Sequence, residues 1–295
     1  VNSIRVWLSN DGEVLIKDPD NGTTVSLLPE IVPWYRDFKG DIIQDGDNRY
    51  ITKGVIKEVK SGVKEVVELP IGLWTNKFKE QCEDLICDKK LKSMKNYSTT
   101  REVNFVLTET PDGIYCNENN LKIHTYVYTS NMVLFDDKER LKKYNNTDEI
   151  IDNFCKVRLE YYVKRKKHQI TTLENEVRHM GNKERFIQEV IDNTLDIMNV
   201  EEDIIVSELN SRDYDEEPGQ GGYDYLLRLQ VRTFTANKVN QLKNDIESHK
   251  KKLSSLNKTT PEKMWLNDLG EFEKQYDKWM KDMAKRVPKK PKDKK

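Results

Sequence analysis

The sequence predicts an α+β protein: an antiparallel-sheet domain, then a long antiparallel coiled-coil stalk that carries a small globular knob. Three observations predict it. Residues 30–145 alternate apolar and polar side chains over short runs rich in Val, Ile, Thr and Tyr, the period of half-buried strands. From Thr147 the period changes to three-four spacing, and that spacing returns from Val239 to Leu256. The segment between the two helical stretches runs to about 55 residues, too long for a hairpin turn and apolar enough to fold on itself.

Composition agrees with that outline. The chain has 295 residues, 34% charged and 36% apolar, with a mean hydropathy of -0.82 and no run near the roughly 20 apolar residues of a spanning helix. Fifty basic and 51 acidic residues nearly cancel, which suits long helices with interspersed signs. Five Trp and thirteen Tyr supply cores, so the chain is expected to be globular rather than disordered.

The elements follow in order. Ile4, Val6, Trp7 and Leu8 predict a short opening helix, and Asp11-Gly12 with Asn21-Gly22 bracket a hairpin, because both dipeptides tolerate positive φ. After Pro33-Trp34-Tyr35, residues 49–59 read as a strand alternating through Tyr50, Thr52, Val55 and Ile56, followed by another over 64–69. Trp74, Phe78, Cys82 and Leu85 are spaced for a helix over 74–86. Val103, Phe105 and Leu107 share a face of a further strand, Ile123, Thr125 and Val127 of another, and 132–135 is a short apolar strand.

Thr147-Asp148-Glu149 is expected to cap a helix running to about residue 180, roughly 50 Å long, with Ile150, Phe154, Val157 and Tyr161 on one stripe. Ile170, Leu173, Val177 and Met180 restart the stripe after Lys164-Arg165-Lys166-Lys167-His168. Thr235 caps a second helix whose seam is Val239, Leu242, Ile246, His249, Leu253 and Leu256, and the two seams predict antiparallel pairing. The knob between them is expected to hold helices around Phe186–Ile191 and Ile204–Leu209, a short β segment at Leu195 and Ile197, and a flexible joint at Gly219-Gln220-Gly221-Gly222. Residues 200–218 carry eight acidic groups and one basic, read as a solvated face. Pro261 starts a closing helix with an aromatic core face at Trp265, Leu269, Phe272, Tyr276 and Trp279, and the last fifteen residues form a basic, disordered tail.

Catalytic chemistry is not legible. Cys82, Cys87, Cys116 and Cys155 have neither zinc-site nor disulfide-framework spacing and read as reduced thiols of an intracellular protein. The Gly219–Gly222 run lacks the Lys-Ser/Thr of a phosphate loop, and Asp213, Asp215, Glu216 and Glu217 lack calcium-loop spacing. His249 is expected to be a satisfied seam residue. No catalytic residue, metal ligand or bound cofactor is assigned. The chain opens Val1-Asn2-Ser3, without an initiator Met or signal sequence, and reads as a piece of a longer polypeptide.

Several segments together resemble eukaryotic-type (type IIA) DNA topoisomerase II. Pro33-Trp34-Tyr35-Arg36-Asp37-Phe38-Lys39-Gly40, Glu68-Leu69-Pro70 with Leu73-Trp74-Thr75, Asn131-Met132-Val133-Leu134-Phe135-Asp136 and Leu141-Lys142-Lys143-Tyr144 resemble its tower region. Val157-Arg158-Leu159-Glu160-Tyr161-Tyr162 with Arg165-Lys166 resembles its descending coiled-coil helix. Lys183, Arg185-Phe186-Ile187, Arg212, Tyr214-Asp215, Tyr223 and Tyr225-Leu226-Leu227 resemble its knob, and Trp265, Asp268-Leu269 and Phe272-Glu273 its closing helix. The resemblance divides the chain into a linker and helix belonging to an upstream domain (1–29), tower (30–146), descending helix (147–181), knob (182–234), ascending helix (235–258), closing helix (259–284) and basic tail (285–295).

That resemblance implies a homodimer that passes one DNA duplex through a transient, tyrosine-linked break in another, driven by ATP and assisted by Mg²⁺. It places the cleavage tyrosine, the metal carboxylates and the ATPase upstream, in winged-helix, metal-binding and ATPase domains of the same polypeptide. Arg49-Tyr50 sits on a predicted strand and is not the cleavage motif, so no catalytic residue carries over. The family's long acidic knob insertion is absent. The implied partners are double-stranded DNA and a second copy bound through the knob, with no membrane, in the nucleus or, for a viral protein, the host cell or virion. Arg36, Lys39, Lys77 and Lys79 are the candidate phosphate contacts, and Phe186, Ile187, Leu195, Ile204, Ile205 and Leu209 the candidates for knob core or dimer interface. The competing reading is a non-enzymatic scaffold that dimerises along residues 239–256 and binds nucleic acid through its tail.

Overall fold

The structure is a computed structural model and describes residues 1–17, 23–100, 102–111, 116–217 and 222–286. The chain divides into two compact units, one comprising Glu13–Asn153 and the other joining Ser3–Gly12 to the residues from Phe154 onward.

The first unit is built of short antiparallel strands around one helix. Strands β1 (Leu15–Lys17) and β2 (Thr24–Ser26) pair as a hairpin whose turn lies outside the described residues. Strands β3 (Asp41–Gln44) and β4 (Arg49–Lys53) pair, and beyond Gly54 the chain runs on into β5 (Val55–Lys60), which pairs with β6 (Val63–Glu68). Helix α2 (Thr75–Cys87) follows, then β7 (Leu91–Asn96), β8 (Phe105–Glu109), β9 (His124–Tyr128) and a hairpin of β10 (Val133–Phe135) with β11 (Leu141–Lys143). One sheet has the order β3-β4-β9 and the other β5-β6-β8-β7.

The expected single strand over 49–59 is therefore two strands in two different sheets. The break is Gly54, whose N–H donates to the Ile123 carbonyl at 3.0 Å. A Cβ there would stand 2.3 Å from Ile123 Cγ2 and 2.4 Å from the Glu68 carbonyl oxygen, so only glycine lets the two sheets approach. Alternation alone does not reveal such a corner, because its parity survives the break.

Helix α2 buries Phe78 and Cys82 in a core with Val66, Leu91, Phe105, Leu107, Leu121 and Ile123. Phe78 meets Phe105 edge-on, with ring centroids 5.0 Å apart. Trp74, expected on that buried stripe, is instead the residue preceding the helix and is 75% exposed.

The second unit is helical. It holds α1 (Asn2–Ser9), most of α3 (Thr147–Ile191), α4 (Glu202–Ser211), α5 (Asp224–Leu227), α6 (Ala236–Lys258) and α7 (Pro261–Arg286). Helix α3 starts one residue beyond its cap: the Asn146 side-chain oxygen accepts from the Glu149 N–H at 2.9 Å, while Glu149 accepts from the Asn145 N–H at 3.0 Å. It does not end near residue 180 but continues unbroken to Ile191, about 65 Å in all. Gly181 causes no break, since the following turns carry Phe186 and Ile187 into buried positions that hold the helix together.

The stalk pairing is antiparallel, as the seams predict. Lys166 donates to the Asn257 carbonyl at 3.2 Å, His249 faces Glu176 at 3.5 Å, Lys243 faces Glu184 at 3.5 Å, and Ile187 packs with Val239 and Leu242. One stripe is misplaced by a residue. Cys155 and Tyr162 are the buried positions of α3, whereas Phe154 and Tyr161 are 51% and 58% exposed. Bulky aromatics dominated the pattern, but the seam runs continuously through Tyr162, Lys166, Leu173, Val177 and Met180, with no displaced restart. Thr235 and Thr260 cap α6 and α7 by accepting from the N–H groups of Lys238 and Lys263.

At the end of the stalk, Phe186, Leu195, Ile205, Leu209, Tyr214, Tyr223 and Leu226 form a compact core. Residues 194–200 are irregular rather than β, although Leu195 is buried as expected. The closing helix divides its aromatic face. Trp265 and Leu269 are buried, with Trp265 stacked on Tyr162 at 5.4 Å, while Phe272, Tyr276 and Trp279 are exposed.

Candidate functional site

Two regions of the chain carry the candidate residues, one in each unit. In the sheet unit, Arg36 lies on a turn closed by the Phe38 N–H to the Tyr35 carbonyl, with Asp37 at positive φ. Arg36 lines an open groove of about 490 Å³ together with Phe38, Ile71, Trp74, Thr99 and Val103. The start of α2 faces the same groove. That helix has no side-chain N-cap and no acidic residue in its first turn, so its leading N–H groups and the positive end of its dipole stay available to an anion. Three acidic residues also line the groove, Asp37, Glu68 and Glu102, and Glu68 is occupied by the backbone N–H groups of Lys39 and Leu69.

The other phosphate candidates are placed differently. Lys39 is exposed beside this groove, next to Gly40, where a Cβ would meet the Lys53 carbonyl oxygen at 1.9 Å. Lys77 and Lys79 are both exposed on α2, but two residues apart they point about 200° apart around the helix. Lys79 pairs with Glu83 at 3.5 Å. The structure thus gathers Arg36, Lys39 and the α2 N-terminus, and sets Lys79 apart. Trp74 was missed as a groove residue. Its position immediately before the helix-starting Thr75 is the signal, since a residue at the cap is turned away from the helix's buried stripe.

In the helical unit, five of the six knob candidates are core rather than surface. Phe186, Ile187, Leu195, Ile205 and Leu209 are buried within this chain and cannot also face a partner. Ile204, one residue from buried Ile205 on α4, is 55% exposed. Met198, six residues before it, is also exposed, and Val231, 82% exposed, rims a groove of about 510 Å³ lined by Ile197, Val200, Ile205 and Leu229 together with the charged Glu202, Asp224 and Arg228. Sequence pattern cannot separate 204 from 205, because adjacent apolar residues on a short helix fall on both sides of the core boundary.

The knob is tied by one charged network. Glu189 accepts from Arg185 at 2.8 Å and from Arg212 at 3.0 Å, and Arg212 also donates to Glu208 and to the Thr194 carbonyl. Arg185 lies over the Tyr214 ring at 4.4 Å. Burial pushes the Glu189 carboxyl up, but the hydrogen bond from Arg185 and the two guanidinium charges outweigh it and hold the group below the usual range. At the root of the stalk, Asp268 accepts from the Tyr162 hydroxyl at 2.7 Å and from Arg165 at 2.5 Å.

Burial pushes the Cys82 thiol up to about 12 and the Cys116 thiol to about 11, which leaves both protonated and unreactive. Tyr50, the tyrosine of Arg49-Tyr50, is buried on β4. Among the described residues no group of three or more His, Cys, Asp or Glu side chains is disposed to hold a metal ion, so the Mg²⁺ implied by the resemblance finds no fitting donor set among them. Gly219-Gln220-Gly221 of the expected joint and the tail from 287 lie outside the described residues. No helix among the described residues is long and apolar enough to cross a membrane.

A model of the DNA gyrase/topoisomerase IV A-subunit family matches residues 10–270. The chain belongs to that family. Among its relatives, DNA topoisomerase 2 of Invertebrate iridescent virus 6 is 33% identical over 245 residues, covering 82% of this chain and 21% of its own length. DNA topoisomerase 2 of Penicillium chrysogenum is 30% identical over 285 residues, covering 83% and 18%. A crystal structure of the Plasmodium falciparum topoisomerase II DNA-binding, cleavage and re-ligation domain superposes with a TM-score of 0.82 at 27% identity, over 97% of this chain and 41% of that one. The resemblance to eukaryotic-type topoisomerase II is borne out. The chain spans about a fifth of the length of the curated relatives it matches.

Proposed function

We propose that this chain is a section of an ATP-dependent type II DNA topoisomerase, an enzyme that passes one duplex through a transient double-strand break in another. The observation that carries the reading is the fold match along 97% of the chain to a DNA-binding, cleavage and re-ligation domain. In this reading the sheet unit supports the cut duplex, with Arg36, Lys39 and the α2 N-terminus taking phosphates beside Trp74. The knob forms a reversible exit gate with a second copy. Cleavage, Mg²⁺ binding and ATP hydrolysis belong to winged-helix, metal-binding and ATPase domains of the same polypeptide, acting where that polypeptide meets DNA inside the cell.

A gate that must hold and then open needs a modest apolar contact with a polar rim. Ile204, Met198 and Val231 are apolar and exposed at the knob, and acidic residues 201–203 flank them. The scaffold reading is not favoured, because the 239–256 seam is already occupied by α3 of the same chain. Sedimentation equilibrium tests the gate. The intact chain is expected to dimerise, and Ile204→Asp with Val231→Asp to give a folded monomer. A variant that stays dimeric, or an intact chain that is monomeric, overturns the knob as gate.

A further inference from the structure

One stretch of the stalk breaks the chain's charge balance. Residues 161–173 on α3 contain Lys164, Arg165, Lys166 and Lys167 and no acidic residue; residues 248–261 contain Lys250, Lys251, Lys252 and Lys258 and again none. The antiparallel register sets both stretches at one level, since Lys166 reaches the Asn257 carbonyl and His249 reaches Glu176. Together they occupy about 17 Å of stalk. At 100° per residue, consecutive lysines leave each helix on its flanks and its back, so the cations form a collar rather than a stripe.

Part of this charge is spent within the fold. Arg165 pairs with Asp268, Lys251 with Glu247 at 2.7 Å, Lys166 with a carbonyl, and Lys164 lies over the Tyr161 ring. Lys164, Lys167, Lys250, Lys252 and Lys258 are exposed and meet no carboxylate among the described residues. Elsewhere on the stalk and knob several cations face acids, as in Lys243–Glu184, Arg185–Glu189 and Arg228–Asp224, while Lys183 lies over the Tyr225 ring and Lys238 meets Gln241. Like charges three and four apart destabilise a helix, so an unneutralised collar persists against its own repulsion. The knob beyond it is the opposite, with eight acidic groups and one basic over residues 200–218.

We propose that the collar is a second nucleic-acid site of this chain, binding the phosphate backbone of duplex DNA on the stalk. The inference rests on the reading of the chain as part of a duplex-passing enzyme, and it names where the transported duplex is held. A duplex carries one charge per roughly 1.7 Å of axis, and each phosphate neutralised by lysine releases a counterion. The acidic knob repels the same polyanion, so the duplex rests at the collar and not against the gate.

The test is fluorescence anisotropy of a labelled duplex with the 295-residue chain across a salt series. The variant is Lys164→Gln/Lys167→Gln/Lys250→Gln/Lys252→Gln, in which Gln keeps helix propensity and no carboxylate is stripped of a partner. A control variant, Arg36→Gln/Lys39→Gln, removes sites on the sheet unit. The four-lysine variant is expected to weaken duplex binding at least tenfold and to flatten the log–log salt slope by about 3.6, near 0.9 for each phosphate left unneutralised. An unchanged affinity and slope, with the control variant weakened, overturns the collar and leaves the DNA-binding reading intact. Absence of all salt-dependent duplex binding in the intact chain overturns both. Tighter binding of a single strand of equal charge overturns the duplex assignment. Lysine acylation of the unsubstituted chain guards against misfolding: the duplex is expected to shield Lys164, Lys167, Lys250 and Lys252 but not Lys278, and equal reactivity with and without duplex overturns the proposal.

Discussion

The stalk's root is expected to depend on Asp268 more than on any surface charge nearby, and a double-mutant cycle measures by how much. Tyr162 is 3% exposed and stacks on Trp265, and its hydroxyl donates to Asp268 at 2.7 Å. A hydrogen bond to a charged acceptor contributes about 1.5–3 kcal/mol net. Arg165 adds a second bond to the same oxygen, but both side chains are more than two-fifths exposed, so that pair contributes no more than about 1 kcal/mol. Tyr162→Phe removes only the hydroxyl, and Asp268 rehydrates and keeps Arg165; the expected loss is about 1–2 kcal/mol. Asp268→Ala leaves a buried hydroxyl without its acceptor and an arginine without its acid, so about 3 kcal/mol is expected. The double variant should cost little more than Asp268→Ala alone, which gives a coupling energy of about 1–2 kcal/mol. Urea unfolding followed by far-UV circular dichroism reads this, with the midpoints compared at constant slope. Additive losses, with coupling below about 0.3 kcal/mol, would refute the claim that the hydrogen bond and not ring stacking fixes Tyr162.

Two further outcomes follow from single groups. Gly54→Ala is expected to destabilise the sheet unit by about 3 kcal/mol, because two of the three atoms nearest the new Cβ are backbone and cannot rotate away, whereas Gly62→Ala should cost nearer ~1 kcal/mol, having open space and only a positive φ against it; equal losses in urea unfolding would show that the corner relaxes. The Glu189 carboxyl is held low in the folded knob, so its stabilisation is complete above the unfolded pKa of about 4.3 and is lost as pH falls through the lower folded value. Hydrogen exchange at the Leu195 and Leu209 amides between about pH 5 and 3 checks this, and Glu189→Gln should flatten the dependence; an unchanged profile in that variant would remove Glu189 as the cause.

What was legible in the sequence is what a period encodes. The α6 seam from Val239 to Leu256 and the Thr235 cap stand where three-four spacing and capping chemistry put them, and the pairing with α3 is antiparallel. What was hidden depends on contacts made between distant residues. The strand break at Gly54 is decided by Ile123 and Glu68, which no local window contains. Asp41–Gln44 and Leu91–Asn96 were not read as strands at all, because each is a short edge strand whose pattern is half polar. Among the site residues, charge type was readable but direction was not. Arg36 and Lys39 share one side of the sheet unit while Lys77 and Lys79 diverge, and Ile204 differs from Ile205 only by which side of α4 meets the core.

In the proposed duplex-passing role, the distribution of charge within the helical unit bears on how a stalk can serve a passing duplex without trapping it. A uniformly basic stalk would bind tightly along its length and hold the polyanion against release, since affinity rises steeply with each phosphate neutralised. Here five exposed lysines without a carboxylate partner cluster at one level, and the knob beyond them is acidic. The attraction is therefore local, and the last step past the knob is against a like charge rather than along a gradient. Of the knob's cations, Arg185, Arg212 and Arg228 are paired with Glu189, Glu208 and Asp224. That network fixes the knob's fold and at the same time keeps its surface field negative, which joins the stability of the knob to the direction in which a polyanion can leave.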